Sequence, residues 1–140
     1  MSALVIDTSV AMAWCFEDEI TPQTEVLLDR VAEAGAIVPA LWINEVTNVL
    51  VIAERRGRLN EAQSTRFIGL LSRLPISIAP EAPSAPVLLA LARGRGLTAY
   101  DAAYLWLAES RGLPLATLDE DLRQAATDAG VETIPRLASP

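Results

Sequence analysis

Histidine and lysine are both absent from this 140-residue chain, cysteine occurs once, at Cys15, and aromatic residues make up only 5%. Each absence removes a class of chemistry. Without histidine there is no Ser-His-Asp triad and no histidine-bearing zinc site, and a lone cysteine forms neither an internal disulfide nor a four-cysteine zinc site. Without lysine there is no GK[ST] phosphate loop, no Schiff base and no kinase-type phosphate lysine. All eleven positive charges are therefore arginine. Carboxylates, hydroxyls, arginine and whatever cation the carboxylates hold are what remain. Cys15, inside the apolar run AMAWCF, reads as a small buried hydrophobe in a reducing compartment.

Long hydrophobic runs are missing too. No uncharged stretch approaches the ~18 apolar residues of a membrane span. The opening MSALVIDTSVAM carries Asp7 and no basic flank, unlike a secretory leader, so a soluble cytoplasmic protein with no membrane association is expected. A hydrophobic fraction of 51% and a mean hydropathy of +0.31 suffice for a packed core, and the length suits one domain over residues 1–140. The formal charge of -7 opposes a nucleic-acid partner, unless some of the eighteen carboxylates gather in a metal site instead of spreading over the surface.

Short apolar runs alternate with longer helical stretches, the pattern of an α/β protein whose parallel sheet is covered by helices. Strands are expected at residues 3–6, 36–38, 76–79, 113–117 and 131–134, and helices at 21–34, 41–56, 60–73, 84–95, 98–111 and 119–129. Gly35, Gly57, Gly112 and Gly130 read as helix stops. The proline-bearing APEAPSAP, residues 79–86, is a strand-to-helix turn too short to be a linker. In such sheets ligands bind beyond the carboxyl ends of the strands, where strand order reverses. Asp7 ends the first expected strand, Asp119 follows the fourth, and Asp101 opens the helix before it.

Every one of these acids has a structural reading beside the functional one. Asp7 can cap or turn the helix that starts after it, although Ser9 is the more natural cap and leaves Asp7 free. Glu45, in PALWINEVTNVLVIAERR, falls on the stripe of Leu41, Trp42, Val49 and Ile52, so its carboxylate should be partly buried. A carboxylate so placed protonates, binds a cation, or pairs with an arginine of a neighbouring helix. Asn48, one turn later, can orient it. Thr98 and Asp101 have capping-box spacing, which by itself explains both residues. Asp119 and Asp121 can each be the N-cap or a first-turn acid of the last helix; Asp121 and Glu120 read so, and Asp119, nearest the strand end, is the better site candidate, with Thr117 able to add a hydroxyl.

Several carboxylates at one strand edge repel each other by about 4 kcal/mol per pair at ~4 Å and an effective dielectric of ~20. A divalent cation relieves that repulsion. Oxygen donors alone select hard ions such as Mg2+ or Mn2+, and the chemistry that follows is metal-assisted phosphodiester hydrolysis. Asp7 and Asp101 are the expected metal ligands, with Glu45 and Asp119 holding water or a second ion.

VIDTSV at the start, Glu45 in WINEVTNVL, LTAYDAAYLWLA and LATLDEDL together resemble a PIN domain, and specifically the VapC-type ribonuclease toxins of toxin/antitoxin pairs. The resemblance runs over essentially the whole chain. It implies a three-layer α/β/α sandwich on a parallel five-stranded sheet and four catalytic acids, Asp7, Glu45, Asp101 and Asp119. It also implies Mg2+- or Mn2+-dependent cleavage of RNA, homodimerisation and a cognate VapB-like antitoxin. Ser9 matches the family's small polar residue near the first acid.

Arg93 and Arg95, just before the Asp101 helix, can steer phosphates, with Arg55, Arg56 and Arg58 as a second basic cluster; both equally read as solvated helix ends. Trp14, Trp42 and Trp106 read as core or interface, Trp14 being a candidate for the groove of an antitoxin helix. Two other classes compete. One is a haloacid-dehalogenase-like or receiver-type domain phosphorylated on Asp7, opposed by the missing lysine and by Thr-Ser in place of a second acid. The other is a non-catalytic PIN-like binding module, disfavoured by acids at all four matched positions.

Overall fold

Residues 3–135 are described by the computed structural model. Five parallel strands, β1 (Leu4–Ile6), β2 (Ala36–Val38), β3 (Ile76–Ile78), β4 (Leu115–Ala116) and β5 (Thr133–Ile134), form one sheet in the order β3-β2-β1-β4-β5. Around it lie α1 (Thr8–Cys15), α2 (Pro22–Ala34), α3 (Leu41–Arg55), α4 (Glu61–Arg73), α5 (Ala85–Arg95), α6 (Ala99–Arg111) and α7 (Glu120–Asp128). All three residues of β1 are fully buried, so helices cover both faces of the central strand. The expected α/β/α sandwich is what forms.

Local chemistry explains the element ends. Thr21 with Thr24 and Asn60 with Gln63 make capping boxes at the starts of α2 and α4, and Pro22 fills the first turn of α2. Gly112 adopts a left-handed conformation after α6, turning the chain back toward β4. Gly35 sits at φ 84°, and a Cβ there would lie 3.1 Å from the Pro75 carbonyl, so only glycine lets β2 and β3 begin side by side.

Two differences from the sequence expectations, in strand length and in the buried face of α3, have physical causes. The strands are shorter than their apolar runs, β4 having two residues where five were expected, because flanking positions serve turns and caps. β3 lies at one edge of the sheet, which leaves Ile78 46% exposed. On α3 the buried stripe runs through Trp42, Val46, Leu50 and Ala53, which puts Ile52 on the surface and Glu45 at the half-buried border.

Connections run from β1 outward to β2 and β3, then return to the other side of β1 with β4. The strand order therefore reverses between β1 and β4, whose register pairs Val5 with Leu115 and Ile6 with Ala116. The carboxyl ends of these two strands lie side by side, the usual position of an α/β cleft. Among the described residues, no helix is long and apolar enough to cross a membrane.

Candidate active site

Asp7 is the first residue beyond β1, and its backbone N–H still bonds the Ala116 carbonyl at 3.2 Å. It is also the N-cap of α1: Oδ1 accepts from the Val10 N–H at 3.3 Å and from the Ser9 hydroxyl at 2.5 Å. Capping by Ser9, as expected from the sequence, is thus corrected, since Ser9 instead turns back to accept the Leu118 N–H at 2.9 Å. Oδ2 of Asp7 accepts from Thr117 at 2.5 Å and keeps a lone pair that no described contact claims. The side chain is 4% exposed, and burial pushes its carboxyl up to about 6, against the lowering effect of the Ser9, Thr117 and Val10 hydrogen bonds.

Asp119 caps α7, Oδ1 accepting from Leu122 at 2.9 Å, and is exposed. Thr117, fully buried, joins the two strand ends, donating to Asp7 while accepting the Asp119 N–H at 3.0 Å. Beneath this turn the buried Arg123 donates to the Thr117 carbonyl at 2.8 Å and to Glu120 at 2.9 Å. Its charge braces the β4–α7 turn without pairing with Asp7 or Asp119.

Asp101 stands in the first turn of α6, its N–H held by the Thr98 hydroxyl at 3.1 Å, so the capping reading is correct for the backbone. Its carboxyl is half-buried and raised, first by burial, then by the negative charges of Asp119, Glu45 and Asp121. The charge of Asp101 in turn raises Asp7. The other three acids singled out in the sequence, Asp7, Glu45 and Asp119, thus lie within electrostatic reach of Asp101. Asp7, Asp101 and Asp119 each sit at a helix N-terminus, whose dipole offsets part of the repulsion.

Glu45 reaches this cluster from α3. Its Oε1 accepts from the Tyr104 hydroxyl at 2.6 Å and from the Thr8 hydroxyl at 3.0 Å. Neither the expected arginine nor Asn48, which is exposed, orients it. Tyr104 and Thr8 had no assigned role in the sequence, although Tyr104 follows Asp101 by three positions on one helix face and Thr8 adjoins Asp7. Among the described residues none of the four acids forms an ion pair.

Arginine is used elsewhere. Arg93 and Arg95 are exposed in the last turn of α5, whereas Arg58 stacks 3.7 Å over Phe16 and pairs with Asp18 and Glu19. Trp42 is buried, and the half-buried Trp14 donates to the Thr24 carbonyl at 2.8 Å. Cys15 is half-buried with its thiol pushed up by burial, consistent with an inert side chain.

The PIN-domain family model matches residues 4–128. The chain belongs to the PIN-domain family. Its VapC-type character rests on a relative in Pyrobaculum aerophilum, Ribonuclease VapC3, which is 32% identical over 139 residues, 98% of each chain. Exonuclease VapC9 of the same organism is 38% identical over 96 residues, 67% of this PIN domain and 70% of the relative. Among solved structures, PAE2754 from Pyrobaculum aerophilum superposes with a TM-score of 0.71 at 27% identity, covering 94% of this PIN domain and 89% of that chain. FitAcB from Neisseria gonorrhoeae shares the fold, with a TM-score of 0.65 at 18% identity over 94% and 96% of the two chains.

The donor set can be tested against a divalent ion. It is made of oxygen alone, mutually repulsive and free of arginine, which suits a hard cation. Among the described residues no three acidic side chains converge closely enough to cage an ion with protein donors only. Mg2+ is ordinarily held by one or two carboxylates with its remaining positions kept by water, so the arrangement fits that mode and not a full protein cage.

Proposed function

We propose that this PIN domain is a Mg2+- or Mn2+-dependent endoribonuclease, the toxin of a toxin/antitoxin pair, acting in the cytoplasm. One observation carries the reading: four carboxylates at the β1/β4 switch point, coupled through Asp101, with hydroxyls and helix N-termini around them and no guanidinium among them. Asp7 and Asp101 would hold the ion. A bound ion of this kind polarises a phosphoryl oxygen and lowers the pKa of attached water.

The remaining steps belong to the side chains. Glu45 and Asp119 each have one oxygen engaged, Oε1 and Oδ1 respectively, and present the other toward the cleft to orient the attacking water, one of them taking its proton. Thr117 and Ser9 hold the Asp7 carboxylate in a single orientation. Arg93 and Arg95 steer the RNA phosphates toward an otherwise acidic face. A cognate VapB-like antitoxin silences the enzyme by laying a helix in the groove lined by Trp14, Phe16, Leu59, Phe67 and Leu70, and the toxin works as a homodimer.

Cleavage of a closed circular single-stranded RNA, which has no ends, tests the endonuclease activity directly. Cutting is expected with Mg2+ or Mn2+, absent in EDTA, and lost in Asp7→Asn and Asp101→Asn. Cutting that survives EDTA overturns the metal assignment, while digestion of linear but not circular RNA makes the enzyme an exonuclease. An acyl-phosphate on Asp7 with no RNA cleavage replaces the nuclease by a phosphoryl acceptor.

A further inference from the structure

Tyr104 is 1% exposed, its ring inside the core and its hydroxyl cut off from water. A phenylalanine there would bury with no polar group to satisfy, so the hydroxyl carries a desolvation cost that some interaction must offset. The Tyr104 hydroxyl donates to Glu45 Oε1 at 2.6 Å and lies 3.1 Å from the Thr8 hydroxyl. Thr8 in turn lies 3.0 Å from the same Glu45 oxygen. Three side chains from α1, α3 and α6 thus close a triangle around one carboxylate oxygen.

The hydrogen count of that triangle has a consequence. Thr8 and Tyr104 bring one hydroxyl proton each, and both are directed to Oε1, filling its two lone pairs. The other oxygen, Oε2, is the one left to meet water or a cation. The three helices are also the ones that matter for the other acids: Thr8 adjoins Asp7, and Tyr104 stands one turn from Asp101 on the same face of α6. Two neutral donors therefore link the segments bearing three like charges.

Resting on the nuclease reading above, we infer that Tyr104, with Thr8, is a positioning residue that saturates Oε1 of Glu45 and so fixes Oε2 as the oxygen presented to the cleft. Outer-shell partners of this kind change activity by roughly 10- to 100-fold when removed.

The test uses the full chain. In the metal-free protein, a slowly exchanging, downfield hydroxyl proton should be visible by NMR, vanish in Tyr104→Phe and shift in Glu45→Gln. On RNA with Mn2+, Tyr104→Phe should lower kcat roughly 10- to 100-fold with KM changed by less than about twofold. Thr8→Val should act in the same direction and Thr8→Ser should restore the parent rate, which keeps the test open if Tyr104→Phe folds poorly. In a Glu45→Gln background, Tyr104→Phe should have little further effect.

An active parent with an equally active Tyr104→Phe overturns the inference. So does a loss of equal size in the Glu45→Gln background, which would make Tyr104 a packing residue. A parent that cleaves no RNA instead removes the nuclease reading, and the hydroxyl-proton experiment then decides the Glu45 clamp by itself.

Discussion

Two sets of carboxylates in this molecule are treated in opposite ways. On the surface, Glu81 meets Arg111 through two bonds of 2.6 and 2.9 Å, and that guanidinium holds its carboxyl down to about 2. Asp18 and Glu19 share Arg58 in the same manner. At the β1/β4 switch point, Asp7, Glu45 and Asp119 accept from hydroxyls and backbone N–H groups, no arginine among the described residues pairs with them or with Asp101, and burial drives Asp7 up to about 6. Hydroxyls orient a carboxylate without cancelling its charge, whereas arginine cancels it. Among the described residues, arginine pairs with surface acids and not with these four, whose negative charge is the basis of the proposed cation site.

That contrast breaks most visibly in catalysis. Asp7→Asn, Asp101→Asn and Glu45→Gln are each expected to lower RNA cleavage by at least ~10²-fold, the lower end of what a positioned acid or base contributes. Glu81→Gln should leave the rate at the parent value in the same gel or fluorescence assay.

Stability without metal gives the next largest effect. The folded chain holds the Asp7 proton more tightly than the unfolded chain, so stability falls as pH rises from about 4, and the loss is complete above about 6. A rise from 3.8 to about 6 corresponds to ~3 kcal/mol. Asp7→Asn, which keeps a capping acceptor at the start of α1, should therefore stabilise the EDTA-treated protein by up to ~3 kcal/mol near pH 7 and by nothing near pH 4. Urea unfolding at the two pH values measures it. A mutant less stable than the parent at both would mean that the hydrogen bonds to Ser9 and Thr117 outweigh the buried charge.

Asp101→Asn sharpens the comparison at lower amplitude, because this side chain is only half-buried. Its metal-free melting temperature should equal or exceed the parent's, while the stabilisation conferred by Mn2+ should disappear. Melting well below the parent in EDTA would give the first turn of α6 priority over charge relief. The smallest effect belongs to Arg58→Ala: losing two exposed ion pairs and the contact over Phe16 should cost ~1 kcal/mol, diminish in high salt, and leave RNA cleavage unaltered.

Much of the architecture was legible because its signals are local. Thr21, Asn60, Ser84 and Thr98 cap the helices they precede, and every strand lies inside an expected apolar run. Where the reading failed, the deciding contact was distant. Asp7 and Ser9 are both good caps, and the choice between them follows from where β1 stops pairing with β4, more than a hundred residues away. Glu45 was identifiable as a border residue of α3, yet its partners Thr8 and Tyr104 lie 37 and 59 positions from it, so spacing pointed to Asn48 instead. For Asp119 the cap and site readings were both open from local pattern, and it is the cap of α7.

Composition and local pattern by themselves determined the oxygen-only chemistry, the alternation of strands and helices, and the acids worth watching, since each depends on residue type or on neighbours a few positions away. Strand order, packing and burial decided the rest: that Asp7 and Asp119 stand at the adjacent ends of β1 and β4, that Asp7 loses its water, and that Glu45 is held by hydroxyls and not by an arginine. Burial and charge coupling depend on distances in space between segments far apart in the chain, and those distances exist only once the helices have closed over the sheet.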